Sequence, residues 1–186
     1  VPMGQTTEKI YERAKVNLEK QNHENALRLF NEVLNREPSH KKALRNKGLI
    51  KVLNSSFEEA EEYLLFAVDQ QPNDDHLYQL LGTLYQNNDR PKEALAQLKK
   101  AVNINSANML AQKGLGMLYA HVFGDAEQAA NHFTKAISNG TADAELYFKR
   151  GCTYMILDDM KNAQQDLRKA AEMGHQKSQE MVDKYF

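Results

Sequence analysis

Asp75-His76-Leu77-Tyr78-Gln79-Leu80-Leu81-Gly82-Thr83-Leu84-Tyr85, followed by Ala94, Leu98 and Ala101, is the stretch on which the fold turns. Gly82 sits inside a helical pattern, where glycine costs about 1 kcal/mol relative to alanine. That cost is accepted where two helix backbones must pass close together. Asp89-Arg90-Pro91 then breaks the pattern. It places an acid at a helix cap and a proline in the first turn of a second helix.

The register recurs on both sides of this stretch. Gly82 has counterparts in Ala14, Gly48, Gly116 and Gly151, and Ala94 has them in Ala26, Ala60, Ala129 and Ala163. Leu98 is matched by Phe30, Leu64, Phe133 and Leu167, and Ala101 by Val33, Ala67, Ala136 and Ala170. The period is 34 residues, with one extra residue in the turn of the fourth copy. Such a period marks stacked helical hairpins rather than a compact single-core enzyme. The copies are numbered from position 1 at Thr7, Lys41, Asp75, Met109 and Ala144. The glycine then stands at position 8, the alanine at 20 and the larger apolar residue at 24. The alanine is expected opposite the glycine, with the position-24 side chain filling the space between neighbouring hairpins. Pro38 and Pro72, at position 32, end the second helix of their repeats because proline lacks the N–H a helix needs. Ser56-Phe57-Glu58-Glu59 reads as a capping box, and Asp125 and Asp159 as further caps.

The pattern resembles the tetratricopeptide repeat family, from about Thr7 to Gly174, and the third copy matches best through Tyr78, Leu81, Gly82, Tyr85, Ala94, Leu98 and Ala101. There are departures. No copy has Trp at position 4, and position 7, usually Leu in the family, is Arg13, Lys47 and Arg150 in three copies. Lys169-Ala170-Ala171-Glu172-Met173-Gly174-His175, and Asn139-Gly140-Thr141-Ala142-Asp143-Ala144, are similar to the inter-repeat joints of Sel1-like repeats. There glycine ends the helix in a left-handed cap. The resemblance implies an all-α fold: a right-handed α-solenoid of five antiparallel helix-turn-helix repeats (7–40, 41–74, 75–108, 109–143 and 144–174). Residues 1–6 form an N-terminal tail, and residues 175–186 a C-terminal capping helix. In that helix Met181, Val182 and Tyr185 are expected to cover the open end of the stack.

Composition narrows the function. Lys and Arg number 24 against 25 Asp and Glu, a net charge of −1. That argues against nucleic acid as the main partner, since phosphate neutralisation needs a cationic excess. No apolar run approaches the roughly 20 residues of a membrane span, and Val1-Pro2-Met3-Gly4-Gln5 lacks a signal-like segment. Cys152 is the only cysteine, so no internal disulfide forms. A reducing, cytoplasmic setting is the expectation.

No reaction chemistry emerges from the side chains. Gly114-Leu115-Gly116 lies inside a helical pattern with no preceding strand, so it is packing rather than a phosphate loop. His23, His40, His76, His121, His132 and His175 lack zinc-site spacing, and the acids beside His76 read as a helix cap. Cys152 has no base placed to activate it. No cofactor or metal is implied.

The family resemblance implies a ligand groove lined by the first helix of each repeat at positions 2, 5, 9 and 12. Carried over, these are Tyr11 and Lys15, then Lys42, Arg45 and Leu49 with neighbouring Asn46. The third repeat adds His76, Gln79, Thr83 and Gln86, the fourth Lys113 and Met117, the fifth Phe148 and Cys152. Such a surface suits an extended or helical peptide with acidic side chains. The carboxylate clamp of chaperone-binding relatives is not reproduced. Its five positions read Tyr11, Lys15, Asn46, His76 and Leu80 from the first repeat, and Arg45, Leu49, Leu80, Leu110 and Gly114 from the second. From the third they read Gln79, Thr83, Gly114, Glu145 and Lys149. The expected function is a non-enzymatic scaffold or adaptor, monomeric or weakly self-associating, that binds a protein or peptide in its concave groove. The alternatives are a structural assembly subunit using its convex face or its ends, near Ile10 and Tyr11 or Tyr185 and Phe186, and a regulatory domain of a larger protein. Lys15→Glu and Arg45→Glu are expected to leave the melting temperature nearly unchanged.

Overall fold

The computed structural model describes residues 4–140 and 143–186. Val1–Met3 of the expected tail, and Thr141 and Ala142 of the joint before the fifth repeat, lie outside the described residues. Everything described is helix or turn. The α-helices are α1 (Thr7–Glu19), α2 (His23–Arg36), α3 (Lys41–Asn54), α4 (Phe57–Gln70), α5 (Asp75–Asn87) and α6 (Pro91–Ile104). They continue with α7 (Met109–Leu118), α8 (Ala126–Ser138), α9 (Ala144–Ile156), α10 (Met160–Glu172) and α11 (Gln176–Tyr185). Consecutive helices pair as hairpins, α1 with α2 through α9 with α10, and α3 packs on α5 as α5 does on α7. The result is a helical solenoid with its core running along the stack.

Short polar residues start nearly every helix. Thr6, Asn22, Ser56, Asp74, Asn108, Asp125, Asp143 and Asp159 each accept a backbone N–H of the first turn. His40 and His175 do the same through Nδ1, a role the sequence did not suggest. The exception is α6, which has Pro91 in its first turn and no side-chain cap on Arg90. Asp89 is therefore not a cap. It sits in the turn at φ 54°, as Gln21 does at 58° and Asp158 at 59°. In each case the next N–H reaches back to the carbonyl five residues earlier: Asn22 to Asn17, Arg90 to Tyr85, Asp159 to Tyr154. That bond closes the helix end in a Schellman turn.

The fourth hairpin closes with a bond one residue wider, Asp125 N–H to the Tyr119 carbonyl six residues earlier, at 2.9 Å. Tyr119–Phe123 absorb the extra residue as one π-helical turn, and Gly124 takes the left-handed place at φ 67°. A single inserted residue is commonly accommodated in a helix this way.

The glycine at position 8 does leave room for a crossing helix, but not for the alanine. A Cβ on Gly82 would stand 2.5 Å from Cγ of Leu98, and one on Gly116 would stand 2.6 Å from the Phe133 ring. Gly48 faces Leu64 and Gly151 faces Leu167 in the same way. The glycine thus accommodates the position-24 side chain of its own hairpin, while the position-20 alanines are buried on their own account. Gly174 closes α10 with a left-handed turn as expected, at φ 89°. Gly140 does not. It has no positive φ, and its missing side chain makes way for Met109.

The ends also differ from expectation. Ile10 and Tyr11 are buried rather than an open N-terminal cap. In α11 the fully buried residue is Ser178, Met181 and Val182 are only partly covered, and Tyr185 is exposed.

Candidate functional site

Four of the odd-numbered helices, α1, α3, α5 and α7, line a common concavity of about 700 Å³. Eleven of the fourteen groove residues named from the sequence line it: Tyr11, Lys42, Arg45, Asn46, Leu49, His76, Gln79, Thr83, Gln86, Lys113 and Met117. Stacking sets their convergence. Equivalent positions on parallel first helices repeat at every hairpin, so residues far apart in the chain share one wall.

Three named residues lie elsewhere. Lys15 pairs with Glu12 at 3.3 Å on its own helix. Phe148 stacks against His175 at 4.4 Å, with the Lys177 amine 5.9 Å from the ring centroid. The start of the last helix thereby packs against Phe148. Cys152 is half-buried, and burial pushes its thiol above the ordinary range although Lys177 and Lys149 pull the other way. A thiol held protonated is a poor nucleophile.

The concavity also takes in Val52, Leu53, Leu80, Leu110 and Gly114, which were not named in the groove. The signal for two of them was present, since Leu110 is at position 2 and Val52 at position 12 of their repeats. Leu53 and Leu110 are 59% and 53% exposed. They and Leu49, Leu80 and Met117 give the floor an apolar stripe.

Around that stripe the charge is one-sided. Lys42, Arg45, His76 and Lys113 line the concavity, and none of its lining residues is Asp or Glu. Arg45 donates from Nε to both Asp74 oxygens, at 2.9 and 2.7 Å, and Asp74 is buried behind it. Arg45→Glu would therefore set a second carboxylate against a buried one and destabilise the fold, contrary to the expectation of thermal neutrality. Among the described residues Lys113 pairs with Asp143 alone, at 3.7 Å, and Asp143 is exposed.

Asp74, Asp75 and His76 bring three possible metal-ligand atoms within 4.8 Å of one another. Their lone pairs have other uses. Asp74 accepts the N–H groups of His76 and Leu77 and holds Arg45. Asp75 accepts the amides of Asn108 at 2.8 Å and Asn105 at 3.0 Å. Burial opposes ionisation of Asp75, but those two amides and the adjacent His76 outweigh it and hold the carboxyl below the ordinary range. The cluster ties α5 to the start of α7.

Three of the four amides on the groove wall are engaged within the protein too. Asn46 donates to the Tyr11 hydroxyl, Gln79 to the Thr83 hydroxyl, and Gln86 to the Gly114 carbonyl.

A tetratricopeptide repeat family model matches residues 11–75, and a second matches 75–108 and 144–173. The C-terminal copy, which leaned toward Sel1-like joints in the sequence, is thus matched as a tetratricopeptide repeat. Residues 109–143, which carry the π turn, fall between the matched segments. No curated protein matches the chain. Among solved structures, PilF of Pseudomonas aeruginosa is similar with a TM-score of 0.80 at 16% identity, over 91% of this chain and 77% of that one. TTC0263 of Thermus thermophilus, a thermophilic tetratricopeptide protein, scores 0.70 at 17% identity, over 96% and 98% of the two chains. YrrB, described as a tetratricopeptide protein with an unusual peptide-binding site, scores 0.63 at 23% identity over 90% and 86%. At such identities the likeness concerns the fold. No described helix is long and apolar enough to cross a membrane.

Proposed function

Because the chain belongs to the tetratricopeptide repeat family, we propose that it is a non-enzymatic scaffold that holds a peptide or protein segment of a partner in the concavity of α1, α3, α5 and α7. One observation carries this reading. A solvent-open hollow of about 700 Å³ combines an apolar floor with cations and no lining acid. Exposed Leu53 and Leu110 are an unfavourable way to present leucine to water, at roughly 25 cal/mol per Å² of apolar surface. A partner that covers them removes that cost. The scaffold is ordered beforehand, so little of its own entropy is lost on binding. The chaperone-tail clamp is not part of the reading, because Leu80 and Gly114 stand where its polar side chains would be.

Affinity capture from native lysate tests it. The wild-type chain is compared with a variant carrying Lys42→Glu, Leu110→Glu and Lys113→Glu, whose folding is checked by circular dichroism. A partner held by the wild type and lost from the folded variant supports the groove. Equal retention moves the site elsewhere, to an assembly contact through the outer face. There α4 exposes Leu65 and Phe66, at 48% and 56%.

A further inference from the structure

Resting on that groove reading, we infer that the bound segment runs past the concavity into a second hollow beside the π turn, where it seats one large apolar side chain with a basic residue next to it. The second hollow holds about 350 Å³ and is lined by Gln86, Asp89, Pro91, Met117, Leu118 and Val122. Gln86 and Met117 line the concavity as well. The two hollows therefore border each other along these side chains. Met117 forms part of that shared edge with an unbranched side chain, which adapts to the group it meets.

Nothing in the packing asks for apolar residues at the π turn. Storing an extra residue constrains the backbone and not the side chains, and the third hairpin ends its first helix with Asn87-Asn88-Asp89. The fourth instead carries Val122 and Phe123, both exposed. Phe123 leans on Tyr119, with ring centroids 5.9 Å apart, whereas Val122 lines the hollow with Pro91 and Leu118. Apolar side chains left open to water beside a groove suit the burial of a partner's apolar group, and single π turns inside α-helices are frequent at functional sites.

Charge picks the residue beside that anchor. Asp89 is the one charged side chain lining the second hollow. It makes no ion pair among the described residues, and neighbouring Arg90 is held by Glu93 at 2.9 Å and Glu61 at 3.4 Å. The concavity has the opposite sign, through Lys42, Arg45 and Lys113. A segment that complements both is acidic over the concavity and basic beside its apolar anchor.

The test is selection from a library of random 16-residue peptides displayed on phage, using the 186-residue chain as bait. A selected peptide is then measured by fluorescence anisotropy against variants whose folding is checked by circular dichroism. We expect binders with acids toward one end and, toward the other, a large apolar residue next to Lys or Arg. Affinity should fall about tenfold or more against Leu110→Glu/Lys113→Glu in the concavity, and separately about fivefold or more against Val122→Gln beside the π turn. Alanine at the peptide's apolar anchor should weaken binding to the wild type as much, and almost no further against Val122→Gln, as expected of two side chains in contact. Asp89→Asn suits the left-handed turn and should weaken binding about threefold, so that misfolding of Val122→Gln leaves a second variant to decide. Binders lost from the concavity variant but indifferent to Val122→Gln and Asp89→Asn would overturn the second hollow and leave the groove reading standing. A library that yields only binders indifferent to the concavity variant, or none, overturns both.

Discussion

The third and fifth hairpins solve one packing problem with opposite chemistry. In the third, position 7 is Leu81, fully buried among apolar neighbours, and Gly82 lets Leu98 seat against the helix. In the fifth, position 7 is Arg150, which grips Asp166 of α10 through two bonds of 2.7 and 2.8 Å. Tyr147 and Tyr154 lie beside the guanidinium, 5.9 and 5.7 Å from their centroids. Burial opposes the charge on Arg150, but Asp166 outweighs it and pushes the guanidinium pKa up. The second hairpin falls between the two, with the Lys47 amine 4.7 Å above the Tyr63 ring. Where position 7 is a cation facing the partner helix, position 23 of the same repeat answers it with a carboxylate or an aromatic face. The backbone frame thus tolerates a charge at a core position if the pair changes together.

Removing half of the ionic pair should have the largest effect. Asp166→Ala leaves the half-buried Arg150 without its carboxylate, and should cost up to about 3–5 kcal/mol in denaturant unfolding. Replacing the ionic pair of the fifth hairpin by an apolar one, with Arg150→Leu and Asp166→Leu together, should return stability to within about 1 kcal/mol of wild type or raise it. A double variant as unstable as the single would mean the pair does more than fill space.

Next in size is the apolar version of the same contact. Gly82→Ala drives a methyl into Leu98 and should cost about 1–3 kcal/mol, despite the better helix propensity of alanine. A loss under about half a kcal/mol would show that Leu98 moves aside easily.

Lys47→Leu tests the intermediate case. Burial, and then the neighbouring Lys51, lower the pKa of this amine. Leucine gives up a cation–π contact of about 0.5–1 kcal/mol, ends that burden and restores the residue of the third hairpin. A gain of roughly 0.5–1 kcal/mol is expected, and a loss would show that the Tyr63 contact is the greater contribution.

The smallest effect is a pH slope in the fourth hairpin, where position 23 is His132. Its ring stacks on Tyr119 at 5.5 Å and its Nδ1 lies 2.7 Å from the Gln112 amide oxygen. Burial lowers its pKa, helped by Lys135 and Lys99. The unfolded chain therefore takes up a proton at an ordinary pKa of about 6.5 that the folded chain resists. Stability is intact above that pH and declines below it until the folded-state pKa is passed. His132→Gln should flatten the decline, as read from melting temperatures between pH 7 and pH 5.

Much of the frame was legible from residue spacing. Glycine, alanine and leucine at fixed intervals announced hairpins because a helix crossing tests side-chain size one position at a time. The same spacing placed Arg45, His76 and Lys113 on one wall of a concavity. Pairing was not legible. Lys15 was assigned to the groove and Tyr185 to a covering role by position alone, while Asp74 beneath Arg45, Phe148 against His175 and the amides bonded within the groove wall each depend on a neighbour from a distant stretch of chain.

By itself, then, the sequence determined that the chain is a stack of helical hairpins, because period and residue size are properties of the linear order. Only the tertiary structure decided that Lys15 pairs outside the concavity, which acid holds Arg45, and how the extra residue of the fourth repeat is stored as a π turn. Those outcomes depend on distances between side chains brought together by packing, and no local spacing encodes them.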